Sequence, residues 1–233
     1  MGGTHGCGRS SACLWAFAVA AMLALSLTVP ARAEAKPVVL LIHGGGYYLD
    51  YGIIHPAATV FEAHGLQPVL VDYAIGDIAQ ARRDVRAAAG RFPDRTVFAY
   101  GESAGGGLAA MLAQSDLIDA AALHSPLADL TEERWAGLGR EFGCWWEECL
   151  RRFSPALSDA RQPTLAMVPE QDQAVDPRRV LDWAANDPLV RSISYPGGHL
   201  EASPLGSVGD LERFADFFLS VAGPGRDRDE PQM

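Results

Sequence analysis

The sequence predicts an α/β fold: a mostly parallel sheet of about six strands with helices on both faces. Two patterns predict it. Short apolar runs alternate with longer amphipathic stretches at the spacing of βαβ units. The apolar runs also lack polar–apolar alternation, as expected of strands covered on both sides. A third observation is local: in AYGESAGGG (99–107) a serine lies among glycines where a strand gives way to a helix.

The elements follow in order. PVVLLIH (37–43) is a first strand that runs into glycines. PAATVFEAH (56–64) suits a helix with Pro in its first turn. QPVLVDY (67–73) is a second strand and IAQARRDVRAAAGRF (78–92) a helix with its charges on one side. RTVFAY (95–100) is the third strand and SAGGGLAAMLAQS (103–115) a small-residue helix. A fourth strand lies around 119–123, and QPTLAMVPE (162–170) holds a fifth. PRRVLDWAAND (177–187) is helical, LVRSISYP (189–196) is the sixth strand, and DLERFADFFLSVAG (210–223) is an amphipathic helix closed by glycine. Residues 128–154 break this rhythm. They are aromatic-rich, with Trp135, Phe142, Trp145, Trp146 and Phe153, and read as a small helical insertion. It is either a packed surface excursion or a lid whose aromatics roof a pocket. The polar tail 224–233 reads as disordered.

Composition bounds the chemistry. Residues 1–33 have the form of a secretory signal peptide: Arg9 ahead of the apolar run 12–29, then Ala31-Arg32-Ala33 as an A-x-A-like cleavage site. The competing reading is a retained anchor, since about 18 apolar residues can just span a bilayer. Cleavage near Ala33 leaves one domain of about 200 residues, enough for a sizeable core, exported to the periplasm or secreted. It also removes Arg9 and Arg32, leaving 17 basic against 29 acidic residues, a net charge of −12. That field disfavours nucleic acid and anionic membranes as partners and suits neutral or cationic small molecules. Of the four cysteines only Cys144 and Cys149 remain. An oxidising compartment favours a bridge between them, whereas helical geometry at this spacing fits one poorly, so the sequence leaves the pairing open. Zinc is not expected, because no second Cys/His cluster stands at ligand spacing. No cofactor is implied.

Gly101-Glu102-Ser103-Ala104-Gly105 has G-x-S-x-G spacing. A nucleophile held in a tight strand-to-helix turn needs small residues two before and two after it, so that strand and helix can approach. The first strand ends in His43-Gly44-Gly45-Gly46-Tyr47. Consecutive glycines let backbone amides face a reacting oxygen. Serine at neutral pH needs a base and an orienting acid. His199, in YPGGHLEAS past the last strand, is the candidate base; His124 is a minor rival, and His43 braces the glycine loop. Asp172, in the turn after the fifth strand, is the candidate acid, with Asp176 in reserve.

HGGGY, GESAGG, VDYAI (71–75), the acid after the penultimate strand and GGH after the last together resemble the α/β-hydrolase superfamily. The closest likeness is to the hormone-sensitive-lipase-like esterases, over about residues 37–222. The resemblance implies Ser103 as nucleophile, His199 as base, Asp172 as orienting acid, and the amides of Gly45, Gly46 and Ala104 as an oxyanion hole. Tyr47, Glu102, Trp145 and Trp146 are candidate pocket residues. The chain departs from that pattern in two ways: only Glu34–Lys36 would precede the first strand of the mature protein, and the insertion is short. Both imply a minimal, open-sited esterase for short-chain or small neutral esters. The alternatives are an amidase, formamidase or peptidase on the same triad, and a catalytically inactive hydrolase fold that only binds.

Overall fold

A computed structural model of the protein describes residues 2, 35–48, 55–132, 135, 143–144 and 146–223. The expected signal peptide (apart from Gly2), the tail after Gly223 and residues 133–134, 136–142 and 145 of the 128–154 insertion lie outside the described residues. The chain divides into a unit of residues 1–35 and one of 36–233. The sheet and its helices belong to the second.

Six strands form that sheet: β1 (Val38–Ile42), β2 (Gln67–Val71), β3 (Val97–Glu102), β4 (Ala120–His124), β5 (Thr164–Pro169) and β6 (Val190–Tyr195). Their order is β2-β1-β3-β4-β5-β6 and every pairing is parallel. The helices are α1 (His55–Ala63), α2 (Ile78–Ala89), α3 (Ala104–Ala113), the short α4 (Glu147–Arg152), α5 (Pro177–Asn186) and α6 (Gly206–Ala222).

The continuous apolar runs have their explanation in the two cores. Along β1, Val38, Leu40 and Ile42 pack into one cluster with Ile78 and Val85 of α2, Leu108 and Leu112 of α3, and Val180 of α5. The intervening Val39 and Leu41 pack into the other, with Phe61 of α1 and Phe214 and Phe218 of α6. A strand with period-2 side chains then needs apolar residues at every position. Each of these fully buried aliphatic side chains contributes about 2 kcal/mol. On the α1/α6 side the aromatics interlock: the Phe98 and Phe218 rings stack at 4.6 Å.

The strand order reverses direction once. From β1 the chain moves outward to β2; from β3 it proceeds the other way to β6. Right-handed crossovers then place α1 on one face and α2, α3 and α5 on the other. The loops leaving β1 and β3 diverge at their carboxyl ends, and the opening between them is where such sheets bind ligands.

Several boundaries differ from the sequence expectation, and three of them have a local reason. β3 continues through Gly101 to Glu102, which pairs with His124. α2 stops at Ala89, because Gly90 caps it by bonding back to Arg86. α6 begins at Gly206, four residues before the expected start. The Asp210 carboxylate accepts from the Ser203 N–H at 2.8 Å and from its hydroxyl, tying the loop to the first turns. Those turns carry exposed Val208 rather than a buried apolar stripe, so periodicity did not announce them.

Cys144 and Cys149 are joined by a disulfide, with Cα atoms 5.2 Å apart. The helical objection does not apply, because α4 starts only at Glu147 and Cys144 precedes it.

Candidate active site

Ser103 sits between β3 and α3 with φ 51° and ψ −118°. A non-glycine residue at positive φ costs on the order of 1–3 kcal/mol, so the surroundings must hold it there. They do so through the backbone: Ser103 N–H donates to His124 O at 3.0 Å, and Ser103 O accepts from Leu127 N–H at 2.8 Å and Gly107 N–H at 3.1 Å. The glycines have separate steric reasons. A Cβ on Gly101 would strike the carbonyl of Gly105, and one on Gly105 would strike the carbonyls of Ile42 and His43. A Cβ on Gly107 would strike that of Leu127. Glycine therefore lets strand, turn and helix come within backbone contact of each other.

The imidazole arrives from the far side of the sheet. His199 Nε2 lies 3.0 Å from Ser103 Oγ and its Nδ1 lies 2.7 Å from Asp172 Oδ2. A carboxylate only accepts, so Nδ1–H donates to Asp172 and Nε2 is left to accept from the serine hydroxyl. The other oxygen of Asp172 accepts from the N–H groups of Ala174 at 2.8 Å and Val175 at 3.0 Å. The histidine loop is pinned from three elements. Gln171 N–H donates to Gly197 O at 2.9 Å, Leu200 N–H donates to Ser125 Oγ at 3.2 Å, and Tyr195 OH donates to Glu201 O at 2.8 Å. Asp176 is engaged elsewhere. It caps α5 by accepting from Arg178 N–H at 3.0 Å and pairs with the Arg178 guanidinium at 2.6 Å.

Gly45 and Gly46 adopt φ 112° and 61°, values that favour glycine. The loop is braced from below. The His43 and Tyr73 rings stack at 4.3 Å, and Tyr73 OH donates to His43 O at 2.9 Å. Ala104 opens α3, so its N–H belongs to the first turn and has no partner within the helix. Gly45, Gly46, Ser103 and His199 line one cavity of about 610 Å³. It continues past Glu102 and His124 toward α1 and α6. Among the described residues no group of three or more His, Cys, Asp or Glu side chains could hold a metal ion.

No protein-family model and no curated protein matches the sequence. Solved structures do match the fold. Native esterase 2 of the planctomycete Thermogutta terrifontis superposes with a TM-score of 0.68 at 19% identity, over 87% of this chain and 88% of that one. The propionate-bound form gives 0.68 at 18%, over 84% and 87%, and the form phosphonylated by sarin 0.69 at 20%, over 83% and 88%. The fold is that of an α/β hydrolase. In this fold the loops after β1, β3 and β6 supply Gly45–Gly46, Ser103 and His199 to one crevice, and the loop after β5 places Asp172 behind His199.

The pocket differs from expectation at several positions. Glu102 does line it. Tyr47 does not: it is 1% exposed in the core beneath the turn, its hydroxyl donating to Ala104 O at 3.2 Å. Trp146 is 64% exposed and lies away from the cavity, because it precedes α4 on the outer surface. Trp145 lies outside the described residues. Of the insertion's described aromatics it is Trp135 that reaches the cavity, its indole N–H donating to Ala174 O at 3.0 Å beside Asp172. Pro56, Ala57, Leu211 and Phe214 complete the apolar wall. Ala57, Leu211 and Phe214 lie on the inner faces of α1 and α6, and in sequence they look like ordinary core positions.

Burial shapes the electrostatics. It raises the Glu102 carboxyl above the usual range, against the lowering effect of the Tyr100 hydrogen bond. It lowers the His124 imidazole, which bonds Tyr195 OH at 2.7 Å. Because the tyrosine proton goes to Glu201 O, His124 Nε2 is the donor in that pair. In a separate cleft beside residues 172–179, burial and the neighbouring Asp176 and Asp129 push Glu132 up to about 7.

Proposed function

We propose that this chain is a serine carboxylesterase, similar to the hormone-sensitive-lipase-like esterases, that hydrolyses esters of small acids through an acyl-enzyme. The observation that carries the reading is His199, placed 3.0 Å from the Ser103 hydroxyl and 2.7 Å from the Asp172 carboxylate.

In this mechanism Ser103 Oγ attacks the ester carbonyl as its proton passes to His199 Nε2. Asp172 fixes the tautomer and stabilises the imidazolium that results. The carbonyl oxygen becomes negative and is met by the N–H groups of Gly45, Gly46 and Ala104; losing one such donor costs about 3 kcal/mol of transition-state stabilisation. The tetrahedral adduct collapses, the C–O bond to the alcohol breaks, and the imidazolium gives the alcohol its proton. Water repeats the sequence on the acyl-enzyme, freeing the acid and the serine. The solved neighbour is an esterase seen with propionate bound and also phosphonylated by sarin, which supports acyl-transfer chemistry with short chains. We further propose that residues 1–33 direct export and are cleaved near Ala33, placing the enzyme in the periplasm or outside the cell. The Cys144–Cys149 bridge supports an oxidising compartment.

The test is hydrolysis of p-nitrophenyl esters of graded acyl length by wild type and Ser103→Ala. The expected result is turnover highest for acetyl to butyryl and lost in the variant. Turnover that survives Ser103→Ala, or an optimum at long chains, contradicts the proposal.

A further inference from the structure

We propose that the cavity beside Ser103 prefers esters that carry a primary ammonium group, and that Glu102 is the residue that binds it. This rests on the esterase reading and narrows its substrate class; short neutral esters remain substrates, and ammonium-bearing ones are favoured over them.

The first observation is an open acceptor. Tyr100 and Glu102 lie two apart on one face of β3, and Tyr100 OH donates to Glu102 Oε1 at 2.6 Å. Among the described residues no protein donor reaches Oε2. The carboxylate borders the cavity next to the nucleophile, so a ligand there can supply the missing donor.

The second observation is unbalanced charge. Asp210 of α6 also lines the cavity and is 2% exposed. Each of its oxygens already accepts from Ser203, so it adds charge to the cavity but is more fully engaged than Glu102 Oε2. Among the described lining residues none is Lys or Arg. The remaining titratable groups there are Tyr100, His124 and His199, with Asp172 behind His199. Burial holds His124 toward its neutral form. Glu102 is half-buried, and a carboxylate partly withdrawn from water without a counter-charge carries a desolvation cost that a cation at Oε2 relieves. The raised Glu102 carboxyl agrees with this picture.

The third observation is shape. Ala57, Leu211 and Phe214 make an apolar wall along the same cavity. Methylenes can pack on that wall while the head group reaches Glu102. A primary ammonium has N–H donors for a charge-assisted bond to Oε2, which a quaternary one lacks.

The experiment compares kcat/KM for Nα-acetyl-lysine methyl ester and Nα-acetyl-norleucine methyl ester, which share the side-chain methylenes and differ in the ammonium. Wild type is expected to favour the lysine ester by about tenfold. Glu102→Gln should bring the two within about twofold of each other, and Glu102→Asp should retain the preference. Binding of n-butylammonium and 1-butanol to Ser103→Ala, followed by ligand-observed NMR, reads the same site without turnover and should favour the ammonium. A wild-type ratio of one or less, or a ratio unchanged by Glu102→Gln, overturns the proposal; the first result does not require that the variant fold. Turnover of p-nitrophenyl acetate is recorded alongside. Its absence sinks the esterase reading by itself, whereas its presence with no lysine preference sinks only the ammonium subsite.

Discussion

Asp172 and Asp176 are four positions apart and have different partners. Asp172 accepts two backbone N–H groups on one oxygen and the imidazole on the other. Asp176 spends its acceptors on the start of α5 and on Arg178, and that partner holds its carboxyl below the usual range. Asp172→Asn should therefore lower kcat by about ten-thousandfold, because an amide no longer selects the Nδ1–H tautomer. Asp176→Asn should leave kcat within a few-fold and cost under about 1 kcal/mol of stability, since Asn also caps helices. Equal kinetic losses in the two variants would contradict the assignment. Sequence favoured Asp172 but kept Asp176, because a cap and an orienting acid use the same residue type within one turn. Tyr47 shows the opposite limit. Its place after the glycines was readable, but its direction depends on φ 66° and on the room that Gly107 leaves for its hydroxyl.

At the scale of elements, β3, the serine turn and α3 form one unit that works only because its glycines let backbone meet backbone. Gly105→Ala would drive a methyl into the carbonyls of Ile42 and His43, which lie at and just past the end of β1 and cannot swing aside like a side chain. We expect a loss of about 3 kcal/mol in urea unfolding, with activity falling beyond what the folded fraction explains. Wild-type stability in this variant would show that the turn is looser than described. Strands were legible here because burial on both faces forces continuous apolar runs, and Ser103, Asp172 and His199 each lie just past a strand end. The pocket wall was not legible. Leu211 and Phe214 have the spacing of core residues, and only the docking of α6 against α1 decides that they also border a cavity. The insertion's aromatics were equally ambiguous: Trp135 points inward and Trp146 outward, and composition does not distinguish them.

At the scale of the molecule, one reversal of strand order brings the ends of β1 and β3 together, and the sheet's twist lets loops from β5 and β6 reach over them. The segment at Glu132 and Trp135 closes against the acid loop, and its acidic contacts link stability to pH. Glu132 is raised from 4.5 to about 7, with Arg179 Nε at 3.8 Å shared with Asp129. Between those two values the unfolded chain has released the proton and the folded chain still holds it. The folded state then binds more protons, so this group makes stability fall as pH rises across that window. Glu132→Gln should flatten the decline seen by urea unfolding between pH 4.5 and 7.5, while an identical slope in both proteins would refute the linkage.

The convergence of Ser103, His199 and Asp172 on one reacting carbon is the claim on which the functional account rests. It is tested most directly by treating the protein with a fluorophosphonate and mapping the adduct by peptide mass spectrometry, with His199→Ala alongside. The account predicts one adduct, on Ser103, forming rapidly in wild type and at least a hundredfold more slowly, by rough order of magnitude, without the imidazole. An unlabelled Ser103 in folded protein, or labelling at the same rate in both proteins, would contradict it.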